Sequence, residues 1–161
     1  MTDVQITNWS ADRIPELEPL WTALEEHHAQ LGDVPPVRPL EDSWQRRQEQ
    51  YREWLENGSG RLFVAERDGR ALGYLMLTIG SGPPTWDVGD RAAEVETMAV
   101  LEGERSAGLG YTLLQAALRA AEAEGVRAVG VGVVHSNAGA LAFYERAGFR
   151  PFYIQLLRVR R

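Results

Sequence analysis

Cysteine is absent from the 161 residues, which excludes disulfides, thiolate metal sites and cysteine nucleophiles and suits a reducing compartment. Long apolar runs are missing too: nowhere do about 18 consecutive apolar residues occur, so no membrane-spanning helix is expected. The opening "MTDVQITNWSADRI" lacks the positively charged segment and apolar stretch of a secretion signal, and the expected location is cytoplasmic. Positive charge is outnumbered, with 17 Lys and Arg against 23 Asp and Glu for a formal charge of −6. That balance gives no electrostatic support for nucleic acid or an anionic membrane as partner. Histidine is limited to His27, His28 and His135, which form no recognisable ligand set, so no metal is expected. Internal repeats and linkers are lacking as well. At 44% hydrophobic composition the chain is expected to form one domain over residues 1–161, burying roughly 70% of its unfolded surface.

What is present alternates between two periodicities. "VQITNW" reads as a first strand, after which Ser10 or Asp12 is placed to cap a helix through "ELEPLWTALEEHHAQL". "EDSWQRRQEQYREWLENGSG" is a second helix with Trp44, Tyr51, Trp54 and Leu55 on one face. "RLFVAERDGRALGYLMLTI" reads as a hairpin turning at Asp68 and Gly69. "RAAEVETMAVL" is a long strand, "GYTLLQAALRAAEAEG" the clearest helix, and "VRAVGVGVV" an apolar strand. The helix "NAGALAFYERAG" and a terminal strand "FYIQLLRV" complete the order, and that last strand is also a candidate for pairing two chains as a homodimer. The predicted fold class is mixed α/β, a central mixed sheet, mostly antiparallel, with helices on both faces.

Between the long strand and the clearest helix lies "EGERSAGLG". A helix start exposes unpaired amides at the positive end of the helix dipole, and Gly108 and Gly110 would let a phosphate approach the backbone. A tight turn explains the same glycines without any ligand. Rival nucleotide motifs fit poorly: Gly110 is followed by Tyr111 and Thr112 rather than Lys and Ser or Thr, and position 113 is Leu where a dinucleotide loop has its third glycine. "RSAGLG", Arg105 to Gly110, instead resembles the acetyl-CoA loop of the GCN5-related N-acetyltransferase (GNAT) family, with pattern Arg/Gln-x-x-Gly-x-Gly/Ala. "TMAV" before it resembles that family's central strand, and "NAGALAFYERAGF", Asn137 to Phe149, its second cofactor-side segment. Two positions depart from the pattern: Glu102 stands where the family commonly has Pro, and Ser106 where it commonly has Gly.

The resemblance implies a GNAT-like domain that transfers acetyl from acetyl-CoA to a primary amine of a small molecule. Noncatalytic acyl-CoA sensing and acetylation of protein N-termini or lysines are the alternatives. It implies that the amides of Ser106, Ala107, Gly108, Leu109, Gly110 and Tyr111 surround the CoA pyrophosphate with Arg105 as an added cationic donor, and that Met98, Ala99 and Val100 offer backbone to the pantetheine arm. Asn137 caps its helix or bonds the cofactor. Tyr144 matches the tyrosine whose hydroxyl lies near the CoA sulfur, and its ordinary pKa near 10 keeps it protonated at neutral pH, ready to act as acid. For the base, Glu94 and Glu96 share a strand face unless a bulge intervenes; Glu96 lies closer to the donor-binding backbone, and Glu94 acts on the amine or through water. Trp44, Tyr51, Tyr74, Trp86 and Asp87 are candidates for the acceptor walls, each with a packing or surface role as the alternative, and packing against the sheet is the commoner role of an aromatic stripe such as Trp44, Tyr51 and Trp54.

Overall fold

The computed structural model describes residues 3–160. Strand β1 (Gln5–Asn8) is followed by a 3-10 segment (Ala11–Leu17) and helices α1 (Glu18–Ala29) and α2 (Leu40–Glu56). Strands β2 (Gly60–Arg67), β3 (Arg70–Ser81) and β4 (Arg91–Val100) come next, then a second 3-10 segment (Glu102–Ala107) and α3 (Leu109–Ala123). The short β5 (Val129–Val131) and α4 (Ala138–Arg146) complete the described elements. The five strands form one sheet in chain order. All neighbours are antiparallel except β4 and β5, which run parallel. This is the mixed, mostly antiparallel sheet that the sequence predicts.

The β2–β3 turn forms for the reason its residues suggest. Asp68 and Gly69 both take positive φ, 53° and 75°, the pair of left-handed residues that a two-residue hairpin with the right twist requires. Strand β3 is buried on both faces. Leu75 and Leu77 pack with Leu113, Leu114, Ala117 and Ala121, the apolar stripe of α3, on one side. Tyr74 and Met76 pack with Trp21, Trp44 and Tyr51 from α1 and α2 on the other. Period two in the strand and period 3.6 in the helices thus meet across each face.

Three expectations change. The Ser10 hydroxyl bonds the Asp12 carboxylate instead of capping a helix, because Pro15 sits within a 3-10 segment and the α-helix starts only at Glu18, with Pro19 in its first turn. The apolar run 126–134 pairs only over Val129–Val131. The terminal run "FYIQLLRV" forms no strand: residues 150–160 are exposed and outside any element, and no strand of the same chain pairs with them. Gly148, at φ +98°, follows the last turn of α4 and ends it.

Candidate active site

Strands β4 and β5 share three paired positions, Ala93 with Val129, Glu94 with Gly130 and Val95 with Val131. Beyond Val95, β4 stays paired with β3 as far as Val100 while the chain after β5 departs. The wedge between them opens into a cavity of about 880 Å³ whose walls include Glu96 to Val100, Val131 to Val134 and Asn137.

The parting point coincides with a bulge. Met76 faces Thr97 and Leu77 faces Val95, so Glu96 is an extra residue on β4. Without it, Glu96 and Thr97 would point to opposite faces. With it, Glu96 lines the cavity and accepts a 2.6 Å bond from the Thr78 hydroxyl, while Thr97 is buried on the α1–α2 side and accepts a bond from the Tyr51 hydroxyl. Tyr51 also bonds Tyr74 at 3.1 Å. Burial pushes the Tyr51 hydroxyl up to about 12 and the Tyr74 hydroxyl well above its ordinary value, so both remain neutral structural groups.

Glu94 lies on β4 outside the cavity wall. Its carboxylate folds over β5: a side chain at Gly130 would collide with it. The desolvation this brings raises its pKa, the Glu96 charge raises it further, and the Gly132 backbone bond lowers it.

Gly108 and Gly110 have separate explanations. Gly108 takes φ +75° between the 3-10 segment and α3, a left-handed position that favours glycine on backbone grounds alone. Gly110 has ordinary dihedrals, and a Cβ there would meet only the Phe143 ring at 3.7 Å and Met98 Cε at 3.8 Å. Packing therefore has room for alanine at 110. Both glycines line the cavity, with Arg105, Tyr111, Met98, Ala99 and Val100. The Arg105 guanidinium bonds the Val100 carbonyl at 3.3 Å. Among the described residues, the first return bond of α3 is from the Thr112 N–H to the Gly108 carbonyl, and the amides of its first turn lie before it, where a helix start offers them to another acceptor. Leu109 turns its side chain into the core. Ala107 is exposed in the 3-10 segment. The side chain of Ser106 lies outside the described residues.

The second segment meets the first across the wedge. Asn137 caps α4 by accepting from the Ala140 amide at 3.2 Å and also lines the cavity. Tyr144 lines it as well, its ring held edge-on by Phe143 at 5.1 Å and Phe149 at 5.4 Å. Burial pushes its hydroxyl up to about 12. Among the described residues no hydrogen bond uses that hydroxyl.

The aromatic candidates take their packing or surface alternative. Trp44, Tyr51 and Tyr74 are core residues, absent from the cavity wall, because their spacing is that of packing against the sheet. Trp86 packs against Phe152 at 5.6 Å, and neither it nor Asp87 reaches the wall. The wall is made instead by Trp21, Leu24, Glu25, His28 and Leu31 on and just after α1, with Arg47 of α2. Their helical spacing carries a legible signal, since Glu25 and His28 interrupt an apolar stripe with a polar pair, joined at 3.2 Å. The Arg47 guanidinium lies 5.1 Å from the Trp21 ring centre. The wall thus carries two carboxylates, Glu25 and Glu96, beside aromatic surface, which can hold an ammonium group.

The sequence profile described as the acetyltransferase (GNAT) family matches residues 20–149. The chain is 31% identical over 103 residues to a mycothiol acetyltransferase of Amycolatopsis mediterranei, covering 64% of this chain and 34% of that protein. It is 35% identical over 113 residues to an N-alpha-acetyltransferase of Sulfurisphaera tokodaii, covering 66% and 65%. It therefore spans about a third of the first relative and just under two thirds of the second. Its fold is similar to that of an aminoglycoside N-acetyltransferase solved in complex with CoA, with TM-score 0.73, 19% identity and coverage of 100% and 97%.

Proposed function

Given that the chain belongs to the GNAT acetyltransferase family, we propose that it transfers an acetyl group from acetyl-CoA directly to a primary amine of a small molecule. The carrying observation is that one cavity is lined at once by Arg105, Gly108 and Gly110, by the unpaired stretch of β4, and by Glu96 and Tyr144. In this reading the amides at the start of α3 and Arg105 hold the pyrophosphate, and Gly108, where a Cβ would meet nothing within 4 Å, leaves the backbone open to it. Backbone groups of Met98 to Val100 receive the pantetheine arm as an edge strand receives an added strand.

The amine nitrogen attacks the thioester carbonyl carbon, and the carbon–sulfur bond breaks. Tyr144 gives its phenolic proton to the departing thiolate, and Glu96 takes the proton lost by the amine, directly or through water. Thr78 fixes the Glu96 carboxylate. Glu94, its carboxylate folded over β5 outside the cavity wall, takes no proton in this reading. The wall of Trp21, Glu25, His28 and Arg47 receives the rest of the acceptor. The absence of cysteine suits a cytoplasmic setting.

The test is incubation with acetyl-CoA and a panel of amino acids, polyamines, aminoglycosides and short peptides, measuring free thiol and acetylated amine together. All 17 Lys and Arg residues are arginine, so no lysine amine of the protein competes as acceptor. Acetylation of a small amine supports the reading, and thiol release only with peptides favours α-amino acetylation, the activity that the 35% identical relative is named for. Acetyl-CoA binding with no product from any amine would leave a sensor and sink the catalytic proposal.

A further inference from the structure

Helix α2 packs on the sheet through Trp44, Tyr51 and Trp54. Arg47 stands on the same stripe, three residues after Trp44 and four before Tyr51, so its stem leaves from the apolar side of the helix. It is half-buried, and its guanidinium lies 5.1 Å from the Trp21 ring centre and 5.8 Å from that of Tyr51. Such a position gives the charge aromatic surface and removes part of its water.

The same position denies Arg47 a carboxylate. One turn away on either side stand Ser43, Trp44, Gln50 and Tyr51, all uncharged. Its exposed neighbour Arg46 is held by both oxygens of Asp42 at 3.1 Å. Arg47 instead donates to the Gln50 side-chain carbonyl at 3.0 Å, and among the described residues no carboxylate pairs with it. The two carboxylates that share its wall are engaged elsewhere, Glu25 with His28 at 3.2 Å and Glu96 with Thr78 at 2.6 Å. A guanidinium carries five N–H donors in a planar fork that matches a carboxylate. Burial raises the Tyr51 hydroxyl most, while the Arg47 charge acts on it downward and the Glu25 charge upward. That hydroxyl bonds Thr97, next in the chain to Glu96, so both charges bear on the part of the cavity where β4 bulges. With one guanidinium and two carboxylates there, positive charge is not in surplus, which opposes a doubly charged phosphate more than a single carboxylate.

We propose that the acceptor is an amino acid, a primary amine bearing a free carboxylate, and that the Arg47 guanidinium binds the carboxylate while the amine lies toward Glu96. Resting on the acetyl-transfer reading, this assignment narrows its acceptor: bare amines, polyamines and peptide N-termini, which bring no carboxylate close to the amine, fall outside it. Arg47 meets neither the thioester nor the transferred proton. It determines specificity by fixing one end of the acceptor so that the other faces the donor carbon.

The experiment measures kcat/KM at saturating acetyl-CoA for glycine, β-alanine, L-leucine and L-phenylalanine, each beside its carboxamide and its decarboxylated amine. A carboxamide keeps the shape and has the less basic amine, so a preference for the acid reports recognition of charge. At least one amino acid is expected to exceed its carboxamide by about 10–100-fold, the worth of a charge-assisted pair. Arg47→Met, which keeps a stem over Trp21, is expected to bring that ratio to within about threefold, chiefly through the KM of the amino acid, with Arg47→Lys between the two. Circular dichroism and acetyl-CoA affinity by calorimetry are expected to be unchanged in both variants. The selectivity of the parent is decisive by itself should Arg47→Met fail to fold. Carboxamides, decarboxylated amines or a dipeptide acetylated as well as the amino acids would overturn the assignment and leave acetyl transfer standing. Undiminished selectivity in Arg47→Met would overturn it too, by putting carboxylate recognition elsewhere. Acetyl-CoA binding with no product from any amine would overturn acetyl transfer itself, and the acceptor with it.

Discussion

At the scale of single residues, the two proposed proton-transfer groups differ in how the protein holds them. Glu96 is oriented by one hydroxyl, Thr78, at 2.6 Å, whereas Tyr144 is oriented by ring packing and keeps its hydroxyl unengaged among the described residues. Glu96→Gln is therefore expected to lower kcat by about 10²–10⁴, the usual worth of a positioned base, with the urea midpoint nearly unchanged. Tyr144→Phe keeps every ring contact, so its expected loss, about 10² or more, falls on kcat, with the KM for acetyl-CoA within about twofold. A fall in KM-determined binding at constant kcat would instead make Tyr144 a wall of the cavity. The glycines separate in the same way. Gly110→Ala fits the empty space beside Phe143, whereas Gly110→Val is expected to raise the KM for acetyl-CoA about tenfold, roughly 1.4 kcal/mol of binding. Equal KM values for the parent and Gly110→Val would remove this residue from the donor site.

At the scale of elements, the decisive feature is the pairing of β4 with β5 where the two strands part. Gly130 has no side chain because the Glu94 carboxylate occupies the space where one would stand. Gly130→Ala is expected to destabilise by about 1–3 kcal/mol through overpacking, and adding Glu94→Ala should recover most of it; additive losses in urea denaturation would show that the two positions do not meet. Much around this point was legible in the chain. The alanine-rich stripe of α3, the Asp68–Gly69 turn and the start of α3 after Gly108 all follow from local residues. The bulge at Glu96 was not legible, since an extra residue in a strand is set by its partner's register and leaves the alternation of "EVETMAV" looking regular. The acceptor wall was only partly legible for a related reason. Large aromatics are noticed first, yet Trp44, Tyr51 and Tyr74 satisfy the core, while smaller polar interruptions at Glu25 and His28 face the cavity. The terminal strand was misread because β propensity cannot supply a neighbour. A strand exists only where an edge is within reach.

At the scale of the whole molecule, the sheet separates two cores, and the ionisation of three tyrosines ties their stability to pH. Tyr51 and Tyr74 sit in the core that α1 and α2 build, and Tyr144 packs with the α3 core. Burial raises all three, Tyr51 and Tyr144 to about 12 from an ordinary 10. The folded state therefore keeps protons that the unfolded chain releases, so the contribution is complete below pH 10 and is lost as pH climbs through 12. A shift of about two units corresponds to about 3 kcal/mol for each such tyrosine, enough to consume a large share of an ordinary domain's stability. Urea denaturation at pH 8, 10 and 11.5 is expected to reveal a steep alkaline loss, with tyrosinate absorbance rising on unfolding rather than before it. The two cores are distinguishable by substitution. Tyr144→Phe, which sacrifices no hydrogen bond among the described residues, should leave stability at pH 8 almost unchanged and flatten the alkaline loss. Tyr51→Phe should flatten it too but weaken the protein at pH 8 by about 1–3 kcal/mol, because it strips Thr97 and Tyr74 of a buried partner. An alkaline loss equally steep in Tyr144→Phe and the parent would mean that the Tyr144 hydroxyl meets solvent freely, and with that its place as a buried, protonated acid would fall.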